Sequence, residues 1–173
     1  LVHVPFGMVS FEGRTLKTRT GDIVYLEEFL DRAIEKALDI INEKSPNLED
    51  KEKVARQVGV GAVVFQSLYN NRIKDVDFYW DRALNFDGET APYVQYTHAR
   101  CCSVLAKAGA ASAVDQLSIE DCKAIEDKEA QEVISLLEAF PDAILEACEK
   151  YEPYIITRHI VALAQAYNKF YFE

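Results

Sequence analysis

The 173-residue chain is 49% hydrophobic and 28% charged, a balance that supports one well-packed domain or two small ones and excludes a disordered tract as the default. No run of about 18 apolar residues is present to span a bilayer, and no basic, apolar and small-residue sequence marks a secretory leader. With 19 basic and 29 acidic residues the net charge is −10, which opposes a polyanion at long range, so any nucleic-acid contact must come from a local basic or aromatic patch.

The opening "VHVPFGMVSF" is rich in β-branched and aromatic residues around Pro5 and Gly7 and reads as a strand or strand pair, followed by a polar loop, "EGRTLKTRTGD". A helix is expected from near Asp22 or Tyr25, with Leu26, Phe29, Leu30, Ala33, Ala37, Ile40 and Ile41 at helical spacing, ending in a turn around Pro46. A second helix should run from about Leu48 to Tyr69, with a break or a close helix contact at Gly59 and Gly61. "VDFYW" at Val76 to Trp80 looks like a short strand. "NFDGETAP" is a turn that launches a helix near Thr90, and Gly109 marks its end or a loop. From Ser118 the pattern is helical and is expected to divide at Pro141 and Pro153 into three helices. Leu1 is not Met, and the chain starts in an apolar stretch and stops inside a helical pattern. It is therefore expected to be part of a longer protein.

Cys101, Cys102, Cys122 and Cys148 have no spacing suited to a zinc quartet and read as reduced, mostly buried thiols, so no metal site is expected. Arg14, Lys17 and Arg19 lie within six positions, interleaved with Thr15, Thr18 and Thr20 and flanked by Gly13 and Gly21. Such a loop can fold over a triphosphate, or it can be a solvated hairpin; it is not a P-loop. "VGVGAVVF" lacks the third glycine of a dinucleotide fingerprint, so Gly59 and Gly61 are read as packing residues. No Ser/His/Asp or paired-carboxylate pattern nominates a hydrolase.

On the helix from Thr90, 100° per residue gathers Ala91, Val94, His98, Cys101, Leu105 and Ala108 on one stripe, which is expected to be core with His98 as a structural residue. Tyr93, Tyr96, Arg100, Ser103 and Lys107 fall within an arc of about 80° on the other side. Rings that stack and cations that pair phosphate are what an RNA-facing helix needs, although a plain amphipathic helix would look similar. On the last helix Ile156, Ile160, Leu163, Tyr167 and Phe170 form the expected core stripe, with Arg158, Gln165, Asn168, Lys169 and Tyr171 on the surface. The terminal "YNKFYF" either stacks bases or forms a seam to a partner segment.

"HVPFGMV", "KTRTGDIVYLEEFLDRA", "VGVGAVVFQSL", "NNRIKDVDFYWDRALNFDGETAPYVQYTHAR" and "EPYIITRHIVALAQAYNKFY" resemble, in this order, the arginyl-tRNA synthetases, which are class I aminoacyl-tRNA synthetases. The resemblance covers nearly the whole chain. It implies a mainly α fold, a helical bundle with a small N-terminal α/β remnant of the catalytic domain. Residues 1–24 would carry that remnant and its basic loop; residues 25–173 would be the helical connection and a DALR-type anticodon-binding domain. The family has a Lys-Met-Ser-Lys-Ser-like motif where this chain has Thr15-Leu16-Lys17-Thr18-Arg19-Thr20-Gly21, so Thr15 stands at the first lysine and Lys17 at the central serine.

The implied function is ATP-dependent activation of arginine and its transfer to tRNA(Arg), with Mg2+ accompanying ATP and no tightly bound cofactor. Lys17 and Arg19 would act in catalysis, and Arg14, Lys17 and Arg19 would contact ATP. Tyr93, Tyr96, Arg100, Lys107, Lys169 and Tyr171 are the candidate tRNA-binding residues. Arginine, ATP and tRNA(Arg) are the expected partners, without DNA or membrane, for a cytoplasmic monomer. Because no His-Ile-Gly-His occurs in these residues, the chain alone is expected to give no arginine-dependent pyrophosphate exchange. The alternatives are a non-catalytic RNA-binding or interaction module derived from a synthetase, and another class I synthetase with a DALR tail.

Overall fold

A computed structural model describes residues 1–15, 24–109 and 125–172, together with positions 118, 120 and 123. Strands β1 (Val9–Phe11) and β2 (Arg14–Thr15) are followed by helices α1 (Leu26–Lys44) and α2 (Lys51–Tyr69). Strand β3 (Val76–Phe78) leads into the single turn α3 (Trp80–Ala83), and then come α4 (Ala91–Ala108), α5 (Lys128–Lys150) and α6 (Tyr154–Phe172). The chain is mainly α with a small sheet, as the sequence implies; two of its strands come from the N-terminal end and the third from residues 76–78.

The sheet has the order β2-β1-β3; β1 is antiparallel to β2 and parallel to β3, with Phe11 opposite Phe78. The α1–α2 hairpin is thus the crossover between parallel strands, the connection such a pair requires. Glu12 and Gly13 form a two-residue hairpin turn with φ of 48° and 76°, the left-handed pair that matches strand twist and that glycine adopts without strain. The basic loop of the sequence therefore begins as a hairpin, with Arg14 already in β2.

Phe11, Phe29, Phe78 and Trp80 pack as one aromatic cluster, with ring centroids 4.8 to 6.2 Å apart and mostly edge-to-face. Trp80 opens α3 rather than extending the strand, which ends at Phe78. Ala33, Ala37 and Ile41 of α1 are buried against Ala55, Gly59, Ala62 and Val63 of α2. Helix α2 runs unbroken through Gly59 and Gly61, so the expected close helix contact is present and the break is not. It also packs against α4 and α6, and α5 packs along α6.

Helix α4 starts on Thr90, whose hydroxyl accepts from the Tyr93 N–H and donates to the Asn85 carbonyl at 2.6 Å, with Pro92 in the first turn; it ends at Gly109. Helix α5 starts on the Asp127 carboxylate, which caps the Glu129 N–H. It does not divide at Pro141. The carbonyl that Pro141 leaves without its usual donor belongs to Leu137, and both residues are exposed, so solvent can take the place of the missing bond and the helix continues.

Two expected core stripes are rotated. On α4 His98, Leu105 and Ala108 are exposed whereas Thr97 is 5% exposed; on α6 the buried positions are Thr157, Val161, Ala164, Ala166 and Asn168, and Phe170 is exposed. The inner faces carry polar residues that bond across the helix interface, which a stripe drawn through apolar residues cannot register. The thiols are less buried than expected: Cys102 and Cys148 are exposed and Cys101 is half-buried; Cys122 lies outside the described residues.

Candidate nucleic-acid interface

The rotation of both helices places a polar cluster where α4 meets α6. Asn168, expected on the surface, is 9% exposed, and its Nδ2 donates to the Tyr93 hydroxyl and to Thr97 Oγ1, each at 2.9 Å. Its Oδ1 accepts from Arg100 Nη1 at 2.6 Å. Thr97 also donates to the Tyr93 carbonyl one turn back. Every polar atom of the Asn168 side chain is thereby matched, which lets an amide sit inside a helix interface without a desolvation penalty.

Arg100 extends from this cluster to the surface. Its guanidinium lies 4.9, 4.8 and 5.1 Å from the ring centroids of Tyr96, Tyr171 and Phe172, and Nη2 donates to the Tyr96 hydroxyl at 3.2 Å. Tyr96 and Tyr171 are about half exposed and Phe172 is 75% exposed. A planar cation held among three accessible rings can stack on an unpaired base and still present N–H groups to a phosphate. An open groove of about 350 Å³ beside it is lined by Tyr96, Arg100, Ser103, Lys107 and Tyr171 among others, so Lys107 adds a second cation. Underneath, the Tyr167 phenol is pushed up to about 12, mainly by burial and then by its bond to Cys101.

The structure therefore brings Tyr96, Arg100, Lys107 and Tyr171 onto one surface. Tyr93 serves this group from below, as an inner hydrogen-bond partner. Lys169 lies apart, beside the α5–α6 groove, where it pairs with Glu129 at 3.0 Å and holds that carboxyl below its ordinary range. Phe172, which the sequence offered only within the terminal "YNKFYF" cluster and not as a binding residue of its own, is the third ring. Its signal was the spacing of Phe172 four positions beyond Asn168, on the α4-facing side of α6.

At the other end of the chain Arg14 is exposed on β2, while Lys17 and Arg19 lie outside the described residues. What the structure does define is the base of this basic segment. The Gly13 N–H donates to both Asp77 carboxylate oxygens, at 3.0 and 3.1 Å, and Met8 N–H donates to Asp75 Oδ1 at 2.7 Å. The Gly13 N–H, then the Tyr79 hydroxyl, hold the Asp77 carboxyl below its ordinary range, and the same bond raises the Tyr79 phenol. A depressed folded-state pKa means the clamp is intact above the ordinary aspartate range, near pH 4, and is lost as pH falls through the lowered value. Asp77→Asn is expected to speed hydrogen exchange at the Gly13 amide several-fold at pH 7. Corrected for intrinsic chemistry, the unsubstituted chain should show the same rise only below about pH 4. Equal rates in both at pH 7 would show that the carboxylate does not hold the turn.

Comparison with known proteins places these features. The family described as "tRNA synthetases class I (R), catalytic domain" matches residues 1–80, and the "DALR anticodon binding domain" matches residues 94–173. The arginine–tRNA ligase of Halothermothrix orenii is 54% identical over 172 residues, 99% of this chain and 30% of that protein. That of Clostridioides difficile is 51% identical over 173 residues, again 30% of its length. The arginyl-tRNA synthetase of Thermus thermophilus superposes with a TM-score of 0.84 at 33% identity, covering 97% of this chain and 27% of the other. The chain thus spans about 30% of the length of the curated relatives it matches. With the catalytic-domain match on its first 80 residues and the anticodon-binding match on its last 80, the chain belongs to the arginyl-tRNA synthetase family.

Proposed function

We propose that this chain is the tRNA-binding side of an arginine–tRNA ligase, which activates arginine with ATP and transfers it to tRNA(Arg). The observation that carries the tRNA-facing role is the Arg100 guanidinium held among Tyr96, Tyr171 and Phe172, within the stretch matched by the anticodon-binding family. Residues 1–24 form the edge of the catalytic domain that bears the basic loop. Residues 25–173 form the helical connection and the anticodon-binding domain. Arg14, Lys17 and Arg19 supply positive charge to the ATP phosphates, and Lys17 and Arg19 stabilise the charge that develops as pyrophosphate leaves. Tyr93, Tyr96, Arg100, Lys107, Lys169 and Tyr171 serve tRNA, Tyr93 by fixing Asn168 and through it Arg100.

Among the described residues no group of three His, Cys, Asp or Glu side chains is placed to hold a metal ion. Mg2+ enters this reading as the partner of ATP. In this reading the enzyme is cytoplasmic and monomeric; among the same residues no helix is long and apolar enough to cross a membrane.

The test is arginine-dependent exchange of pyrophosphate into ATP, and charging of tRNA(Arg), by the full-length protein that contains this chain. Both are expected. A full-length protein that folds, binds tRNA and neither activates nor transfers arginine would instead fit a binding module derived from a synthetase.

A further inference from the structure

Besides the packing of α2 on α4 and α6, the two family-matched halves are joined through one guanidinium. Arg72 lies between α2 and β3, in the catalytic match; its Nη1 donates to the Pro5 carbonyl at 2.7 Å and its Nε to the Tyr151 carbonyl at 2.9 Å. Nε also lies 3.4 Å from Glu152 Oε1, and the Arg72 amide donates to Glu152 Oε2 at 3.4 Å. The Arg72 carbonyl in turn accepts from the Gly7 N–H at 2.7 Å. Tyr151 and Glu152 form the turn between α5 and α6, in the anticodon-binding match; Pro5 and Gly7 lead directly into the β1–β2 hairpin that begins the basic loop.

Several details mark this as a built joint. Glu152 is 8% exposed, so its carboxylate needs the Arg72 partner. Tyr151 takes the left-handed φ of 54° that closes α5, and its carbonyl accepts from Arg72. One turn into α6, Thr157 Oγ1 donates to the Leu68 carbonyl at 3.1 Å, fixing the same turn to the end of α2. A displacement of the α5–α6 turn is therefore passed to the segment ahead of the hairpin through two hydrogen bonds from a single rigid fork.

Building on the function proposed above, we propose that Arg72 is a positioning residue that couples tRNA binding on the helical side to ATP binding at the basic loop, with Glu152 as its anchor. Coupling between two ligands appears as the ratio of tRNA Kd without and with saturating ATP, and it is reciprocal.

The test titrates the full-length protein with tRNA(Arg), with and without ATP, for the unsubstituted protein, Arg72→Gln, and Arg72→Gln combined with Glu152→Gln. The double variant removes both charges, so it leaves no unpaired buried carboxylate and guards against simple unfolding. The unsubstituted protein should show a ratio differing from one by about fivefold or more. In both variants the ratio should move to within about twofold of one, while tRNA Kd without ATP changes less than about threefold and the double variant melts near the unsubstituted protein. An unsubstituted protein that binds both ligands with a ratio of one, a variant that keeps the full ratio, or a ratio that falls only in step with melting temperature would each overturn the coupling role while leaving the proposed function standing. Failure of the unsubstituted protein to bind tRNA or ATP would remove both.

Discussion

Gly59→Ala is expected to lower the melting temperature of the chain, while Gly61→Ala, two residues along the same helix, leaves it nearly unchanged. By helix propensity alone both substitutions should stabilise α2 by about 1 kcal/mol. What separates them is the atom that an added Cβ would meet. At Gly59 it would lie 2.6 Å from the carbonyl carbon and oxygen of Ala33 and 2.8 Å from the Ile34 nitrogen. Those are main-chain atoms of α1 and cannot rotate away, so the helices must part and open the packing around Ala33 and Ala55, both 0% exposed. Overpacking of this kind costs about 3 kcal/mol, at the upper end of the usual range, and outweighs the propensity gain by about 2 kcal/mol.

For a chain of this size that is a fall of about 4–8 °C, read by thermal unfolding followed by circular dichroism. At Gly61 the nearest atom is Gln95 Nε2 at 2.8 Å, the end of a flexible side chain. It can swing aside at the loss of its 3.2 Å bond to the Gln57 carbonyl, about 1 kcal/mol, which roughly cancels the propensity gain. Equal melting temperatures for Gly59→Ala and the unsubstituted chain would show that α1 and α2 are not in contact at this depth.

The same contrast explains which parts of the fold were legible in the sequence. Helices α1 and α2 carry small and apolar residues at helical spacing; of the expected α1 stripe Ala33, Ala37 and Ile41 are buried, Phe29, Leu30 and Ile40 are half-buried and Leu26, in the first turn, is exposed, because the buried part of the α1–α2 contact is apolar. Helices α4 and α6 misled for the opposite reason. Their contact is bonded by Thr97, Asn168, Tyr93 and Arg100, and a buried amide whose partners lie 68 to 75 residues away in the chain leaves no local periodic mark. Hence Asn168 was assigned to the surface and His98 to the core. Pro141 shows a related limit: a proline inside a helix is costly where the freed carbonyl is buried, and exposure is not written in the local sequence.

The candidate site was legible in its residue types but not in its wiring. Tyr96, Arg100, Lys107 and Tyr171 were nominated from chemistry and helical angle, and they do share a surface. That the Arg100 guanidinium is pre-set by Asn168, and that Phe172 completes the ring of aromatics, required the crossing of α4 on α6. Lys169 was nominated on the same grounds as Tyr171, yet two residues along a helix is a rotation of about 200°, which carries it to the α5 side.

Arg100→Ala in the full-length protein is expected to weaken tRNA binding by about 5- to 150-fold, the range for removing a stacking platform worth about 1–3 kcal/mol. Arginine activation, measured by pyrophosphate exchange, should change by less than about threefold, since the substitution removes no part of the basic loop. Tyr96→Ala should act in the same direction with a smaller effect, because Tyr171 and Phe172 still flank the cation. The competing account is that Arg100 merely ties α4 to the end of α6, as its 2.6 Å bond to Asn168 would allow.

Arg100→Lys separates the two. Lysine keeps the charge and can still reach Asn168, so a structural tie survives, but it has no planar group to lie among the three rings or to offer paired donors to phosphate. If the site reads RNA through the guanidinium, Arg100→Lys loses most of the affinity that Arg100→Ala loses, at an unchanged melting temperature. If Arg100 is only a tie, Arg100→Lys binds tRNA as the unsubstituted protein does, and Arg100→Ala loses affinity only in step with its stability.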